Sequence, residues 1–536
     1  MEDNTMDYSL NTVKAPAESI KKTVNADVVV IGAGTSGLIT ANSAMDEGLS
    51  VILISASTKP ISRGGSNGAA YSKAMRREGY PKMSTWHLQK EILANGNAVD
   101  QKKWYKWYNH SEEAFDYVID FMEGRGYITA FEQSNHLKEN SLYASPVISH
   151  SWIKDVETGR VSGNQDDLVK EFADRLVSGG GKLFYKKAGL YFEKNNGRVT
   201  SVIAKDLETG ELERYAGRKA VVIAAGDFSK DRELMTKYCP EFVSGVSDAV
   251  YDSPVNYDNK GGNGIYRGDM IKAALDAGAA WQKTLPNCVM LNNVSNGATV
   301  SRYQNFFGLL LDMDGERFMN EYCSRALGPI TQHLARRGLS YAIWDSAWAD
   351  HFTWYNQMKP DQTKEETARS KEEVVAQWDA KAAGTDTTKK ALYETGSGER
   401  MWFKADTIEE LVKMAGLPDK ALKTIERYNQ MCHAGEDLDF HKDPNFMIPV
   451  KKGPFYCQKA DFSRMNIFTV LGGPRTNANM QVCDENDDPI PGLYVVGCAV
   501  GDMFSGRYTF MTQGIVYGAC CITFGYLTGK YIAANE

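Results

Sequence analysis

Residues 27–55, DVVVIGAGTSGLITANSAMDEGLSVILIS, read as strand, turn, helix and strand. Val28-Val29-Val30-Ile31 is a continuous run of β-branched residues, as a strand buried on both faces of a parallel sheet requires. Leu38, Ala41, Ala44 and Met45 then recur at helical spacing, Gly48 closes the helix, and Val51-Ile52-Leu53-Ile54 forms a second buried strand. The turn between them, Gly32-x-Gly34-x-x-Gly37, has the spacing of a dinucleotide fingerprint. Its first glycine permits the tight turn, the second lets the backbone approach a pyrophosphate, and the third lets helix and strand pack closely. The helix N-terminus, at Thr35 and Ser36, then faces the phosphates. The pattern is broken at one place. The second strand should end on an acidic residue that grips the ribose hydroxyls, but here it ends Ser55-Ala56-Ser57. A serine still hydrogen-bonds ribose. The missing carboxylate also suits a ribose phosphate, for which Lys59 and Arg63 are nearby bases.

The chain around this segment has 536 residues, room for about two to four domains. Charged residues make up 24% and the AVILMFWYC set 43%, which excludes disorder, collagen and coiled coil as the dominant state. Lys and Arg total 61 against 68 Asp and Glu, a net charge of −7 that leaves no global footprint for nucleic acid. The nine cysteines are odd in number and dispersed, with no CxxC. No disulfide framework or iron–sulfur cluster is expected, and scattered reduced thiols fit a cytoplasmic protein. The eight histidines form no HExxH or close Cys/His pattern, so no metal site is expected. The longest near-apolar run, 515–527, is shorter than the about 20 residues of a membrane span. The first 26 residues lack the apolar stretch of a secretion signal.

Further along, helices are expected over 84–126 and 166–178, and short strands near 182–185 and 199–204. Ala220-Val221-Val222-Ile223-Ala224 is a third buried strand, running into Ala225-Gly226-Asp227. From about Trp281 to Met465 charged helices and polar connectors replace this texture. Strand character returns at Gly492–Gly497, and a last helix runs over 514–531. The expected fold is α/β: a short tail over 1–25, a Rossmann-like domain split into 26–280 and 466–536, and an α+β capping domain inserted at 281–465.

Several separate motifs sharpen this. They are Arg63-Gly64-Gly65-Ser66-Asn67-Gly68-Ala69, then AVVIAAGDF at 220–228 with Tyr238-Cys239-Pro240, then RGDMIK at 267–272 with Ala277-Gly278-Ala279. GERFMNE at 315–321 and PGLYVVG at 491–497 follow. In order and spacing they resemble the FAD-dependent fumarate reductase / 3-ketosteroid dehydrogenase family, related to the succinate dehydrogenase flavoprotein. The resemblance implies FAD as cofactor, with substrate held between a cap and the flavin. It places Gly32, Gly34, Thr35, Ser36, Gly37, Ser55 and Ala56 at the dinucleotide. Arg63, Gly64, Gly65, Ser66, Gly68 and Ala69 form the loop against diphosphate and flavin. Gly189, Ala224, Ala225, Gly226, Asp227 and Asp269 line the far side. Cys498, Asp502, Gly514, Ile515 and Val516 close it from the C-terminal part. AVVIAAGDF is similar to the family's strand ending in A-(T/A)-G-G-F. Two places depart from the family: the second strand ends on Ser55, which then reads as a variant FAD ribose contact, and Cys498 stands where many members have glutamate. Asp502 is then either a substitute ribityl contact or a loop cap.

The branch is decided by the proton-handling residue. Reductases of this family resemble N-E-x-x-x-R and steroid Δ1-dehydrogenases N-E-x-x-x-Y. This chain has Asn320-Glu321-Tyr322-Cys323-Ser324-Arg325, which makes Arg325 the expected proton donor and Glu321 part of its relay. The histidines of a fumarate clamp are missing from Leu285-Pro286-Asn287 and from 467–473. Phe468, Thr469, Phe504, Tyr508 and Phe510 predict a bulkier, more aromatic substrate site, with Tyr508 as a catalytic hydrogen-bonding group. The expected activity is reduction of an activated C=C of an enone or enoate, with electrons from an external carrier or partner protein. Two alternatives stand: a 3-ketosteroid-type dehydrogenase using Tyr508 or Tyr322 as base, and a flavoprotein subunit of a larger electron-transfer complex.

Overall fold

The computed structural model describes residues 16–131, 146–154, 165–243, 248–259, 266–291, 308–322, 327–351, 371–384, 401–461, 467–506, 508–509 and 511–536. The opening segment folds as its pattern requires: β1 (Ile20–Ile31), α1 (Thr35–Asp46) and β2 (Val51–Ile54). β1 pairs in parallel with β2, Val28 opposite Val51 and Ile31 opposite Ile54. On its other side it pairs in parallel with the strand Leu212–Ile223, Val28 opposite Ala220 and Ile31 opposite Ile223. The sheet runs in the order Gln481–Cys483, Pro489–Val495, Leu212–Ile223, β1, β2 and Lys182–Phe184, with a meander of Lys187–Asn195 and Arg198–Asp206 attached to Leu212–Ile223.

The uninterrupted apolar runs exist because this sheet is covered on both faces. Val28, Val30, Leu53, Ala220 and Val222 pack into one core with α1, Gln165–Ser178 and Phe524–Asn535. Val29, Ile31, Ile52, Ile54, Val221 and Ile223 pack into the other with Phe228, Trp281 and the helix Asp269–Asp276. The aromatic stretch expected to be one helical region forms two helices, Thr85–Ala94 and Gln101–Gly124. Trp104 donates its indole N–H to Met503 O at 2.6 Å and Trp107 to Gly68 O at 3.0 Å. The longer helix thereby fixes two loops beside the cofactor cleft described below.

A second unit carries its own cores, drawn only from residues 309–457. Its antiparallel sheet runs Leu309–Asp312, Leu339–Asp345, Phe455–Asp461, Trp402–Ala405. The strand Cys288–Leu291 pairs instead with Ile467–Leu471, and Cys288, Val289, Met290, Ile467, Val470 and Leu471 pack into the two cores of the first unit. The last helix also differs from expectation: it is a π-helix over Val516–Thr523 before becoming α-helical over Phe524–Asn535. Gly518 sits inside it against Gly68, where an added Cβ would lie 1.7 Å from the Gly68 carbonyl oxygen.

The inserted unit has a buried charge cluster. Arg317 donates to both oxygens of Glu321 (3.0 and 2.8 Å) and to both of Asp437 (2.9 and 2.8 Å), and Lys442 Nζ lies 3.5 Å from Glu321. All four side chains are at most 3% exposed. Burial pushes the Asp437 carboxyl up, but Arg317 and the amides of Asp439 and Phe440 outweigh it and hold it well below the ordinary range. Arg317→Met strands two buried carboxylates and should cost about 3–5 kcal/mol, read as a lowered urea midpoint. The Asp437 contribution is complete above the ordinary aspartate pKa of about 3.9 and is lost as pH falls towards its lower folded value. Asp437→Asn should therefore remove an acid limb from the stability–pH curve; an unchanged limb would contradict this assignment.

Candidate cofactor site and active site

The crevice lies where the sheet reverses its winding, at the carboxyl ends of β1 and Leu212–Ile223. Gly32 takes φ +118° and donates its N–H to Ile54 O at 2.8 Å. A Cβ on Gly32 would stand 2.3 Å from Ala224 O, and one on Gly37 2.0 Å from Gly32 O. Neither position has room for a side chain. Gly34 is different: its nearest neighbour would be Ile61 O at 3.4 Å, because it faces the cleft. No side chain caps the first turn of α1, so its amide N–H groups are left for an anion.

From this turn opens a cleft, partly open to solvent. Its wall includes Ser55, Ala56, Ser57, Gly189, Ala224, Ala225, Gly226 and Asp269. Ser55 and Ser57 share a 2.7 Å hydrogen bond and Ser57 donates to Lys59 O, which sets two hydroxyls where the fingerprint has its carboxylate. Burial pushes the Asp269 carboxyl above its ordinary value, with Lys272 and Arg267 opposing. Arg63, Tyr266, Met290, Phe468, Thr469, Cys498, Val516, Tyr517 and Cys521 also line it. Here the Arg63 guanidinium reaches Asp227 at 3.2 Å and also donates to Phe468 O. Burial pushes the Cys498 thiol up to about 11. The glycine turn, the open helix N-terminus and the paired serines fit the diphosphate and ribose of a dinucleotide.

Several expected residues lie elsewhere. Arg325 and Phe510 fall outside the described residues. Asp502 is a loop cap: its Oδ1 accepts from Lys283 N and Thr284 N, each at 2.9 Å, and from the Thr284 hydroxyl. Its carboxylate is thereby spent outside the cleft. Past Arg63 the loop turns away from the cleft wall and packs on the last helix. Gly64 lies under the Tyr517 ring, Gly68 N–H donates to Gly514 O at 2.8 Å, and Ala69 N–H donates to Ile148 O. Gly65, Ser66, Gly514 and Ile515 are likewise absent from the cleft wall. They shape it from behind: Gly65 O accepts from Ser151 and Asn67, and Gln165 joins Asn67 to Thr35. Glu321 is bound on both oxygens by Arg317 in the inserted unit. Phe504 packs edge-on between Trp104 and Tyr508. The buried Tyr508 hydroxyl lies against the amides of Ile515 and Val516. Tyr266, Tyr517 and Cys521 went unread because no local motif points to them. The π-helix brings Tyr517 and Cys521 to the cleft, and its widened turn has no sequence signature.

A model of the FAD binding domain family matches residues 27–512. The chain belongs to this family. FAD is its cofactor, and it is an FAD-dependent oxidoreductase. It is 23% identical over 526 residues to a vinyl phenol reductase of Lactiplantibacillus plantarum, covering 94% of each. It is 26% identical over 382 residues to a 3-oxosteroid 1-dehydrogenase of Mycolicibacterium smegmatis, covering 65% of this chain and 58% of that one. Its fold matches 3-ketosteroid-Δ4-(5α)-dehydrogenase from Rhodococcus jostii RHA1 in complex with 4-androstene-3,17-dione, with a TM-score of 0.68 and 19% identity over 98% of this chain and 99% of that one.

The two kinds of glycine separate cofactor binding from folding. Gly34→Ala adds a methyl to the cleft and should leave apoprotein melting unchanged while weakening FAD at least tenfold, about 1.4 kcal/mol, by fluorescence titration. Gly37→Ala should also destabilise the apoprotein, by about 1–3 kcal/mol. Equal melting losses in both would contradict the geometry.

Proposed function

We propose that the protein is an ene-reductase that saturates an activated C=C bond of a bulky, aromatic or steroid-like enone or enoate, with Arg325 as proton donor. The observation that carries this is Arg325 itself: the motif Asn320-Glu321-x-x-x-Arg325 ends on the reductase residue, and the segment leading into it is rigidly held. Arg317 grips Glu321, Asn320 donates to Phe440 O at 3.0 Å, and Tyr322 N–H donates to Asn320 Oδ1 at 2.9 Å. Bound FAD supplies hydride chemistry at its N5 towards a carbon conjugated with an electron-withdrawing group. Arg325 delivers a proton to the neighbouring carbon as that carbon becomes basic. An arginine, with its pKa above about 12, gives up a proton only to such a strongly basic centre. Phe468 and Thr469 wall the cleft, with Phe504 and Tyr508 packed as an apolar layer, and a planar aryl or fused-ring substrate suits that surface. The likeness to vinyl phenol reductase over nearly all of both chains supports the aryl class. Electrons come from a reduced carrier or a redox partner protein.

The dehydrogenase reading needs a tyrosine base. Burial pushes the Tyr508 hydroxyl far above its ordinary range, and Tyr322 is stacked on Phe446 in the core of the inserted unit at 4.7 Å. Neither is placed to take a proton near neutral pH, which favours the reductase reading. Arg325→Ala and Arg325→Lys should retain the flavin absorbance band. Both should lose about 10²–10⁴-fold in turnover of an aryl alkene such as 4-vinylphenol, assayed anaerobically with reduced viologen. Near-normal turnover in both would sink the assignment.

A further inference from the structure

We propose that the Arg63–Asp227 ion pair at the cleft wall sets how tightly the protein holds reduced FAD relative to oxidised FAD. Asp227 is fully buried and Arg63 nearly so, and their closest approach is 3.2 Å. Asp227 Oδ1 accepts from Ser229 N–H at 3.0 Å and from the Ser229 hydroxyl at 2.8 Å. Its Oδ2 accepts from Val470 N–H at 3.2 Å, from Thr469 and from Arg63. Arg63 lies between the rings of Tyr266 and Phe468, 5.4 and 5.2 Å from their centroids. Burial alone would push its guanidinium pKa down, but Asp227 and the neighbouring Tyr266, Tyr517 and Cys498 outweigh this and hold it above its ordinary value.

Three features set this pair apart from an ordinary structural contact. Arg63 itself lines the FAD cleft, together with Phe468, Thr469 and Cys498 around the pair. The carboxylate is already satisfied by four uncharged donors, so the arginine is not needed to complete its hydrogen bonding. The motif AAGDF carries Asp227 where the resembled A-(T/A)-G-G-F pattern has glycine, so the turn holds a buried anion beside a cation that lines the cleft. Reduction adds two electrons to the flavin, and charge in a low-dielectric wall acts strongly on that step. A neutral pair leaves the step little biased; removing one partner exposes the full charge of the other.

The test uses no substrate, so it stands or falls apart from the ene-reductase reading. Apoproteins of wild type, Asp227→Asn, Arg63→Gln and the double variant are titrated anaerobically with oxidised and with reduced FAD. Asp227→Asn should favour reduced FAD at least tenfold, which for a two-electron couple is a rise of about 30 mV. Arg63→Gln should shift the ratio of dissociation constants the other way by a similar factor, and the double variant should return to within about threefold of wild type. Arg63→Lys keeps the charge and should also stay within about threefold; paired with Arg63→Gln it decides the matter if Asp227→Asn fails to fold. Shifts of the same sign in both single variants, or equal weakening of oxidised and reduced FAD, would overturn the proposal.

Discussion

The site depends on one steric constraint, the contact between the end of β1 and the end of Leu212–Ile223. Ala224 N–H donates to Ile31 O at 2.9 Å, and Gly32 and Gly37 then pack so closely on each other and on Ala224 that neither position admits a Cβ. This brings the first turn of α1 to the carboxyl edge of the sheet with its amides facing the cleft. The buried apolar runs on either side keep the two strand ends in register. Phosphate binding here is thus a result of sheet packing, and it needs no dedicated charged side chain.

The remaining walls are brought in by contacts between residues far apart in sequence. Trp107 and Trp104 hold the loops at Gly68 and Met503, and Arg63 ties the loop after β2 to Asp227 and to Phe468. The π-helix turns Tyr517 and Cys521 into the cleft. In the inserted unit, Arg317, Glu321, Asp437 and Lys442 clamp the segment that precedes Arg325. The glycine turn is therefore built from local geometry, and the walls around Arg63 and Tyr517 from long-range packing.

That division explains what could be read from the chain alone. The βαβ unit, the third strand and the amphipathic helix at 165–178 follow from periodicity and glycine spacing, which are local signals. The long-range contacts do not. Sequence leaves Asp502 open between a cofactor contact and a loop cap, because the Lys283 and Thr284 amides that its carboxylate accepts from lie more than two hundred residues away. Arg317 holds Glu321 together with Asp437, which lies more than a hundred residues further along the chain, so the cluster has no local signal. Cys288–Leu291 likewise carries no local sign that its partner, Ile467–Leu471, lies on the far side of the insertion.

The proposed direction and class of the reaction can be read in a single turnover: stoichiometrically reduced holoenzyme is mixed anaerobically with an unsaturated aryl carbonyl or vinyl compound, and flavin absorbance and product mass are followed together. One C=C bond should gain two hydrogens for each FAD reoxidised. Reduced enzyme that no unsaturated compound reoxidises, while the oxidised enzyme is bleached by a saturated 3-ketosteroid, would contradict it.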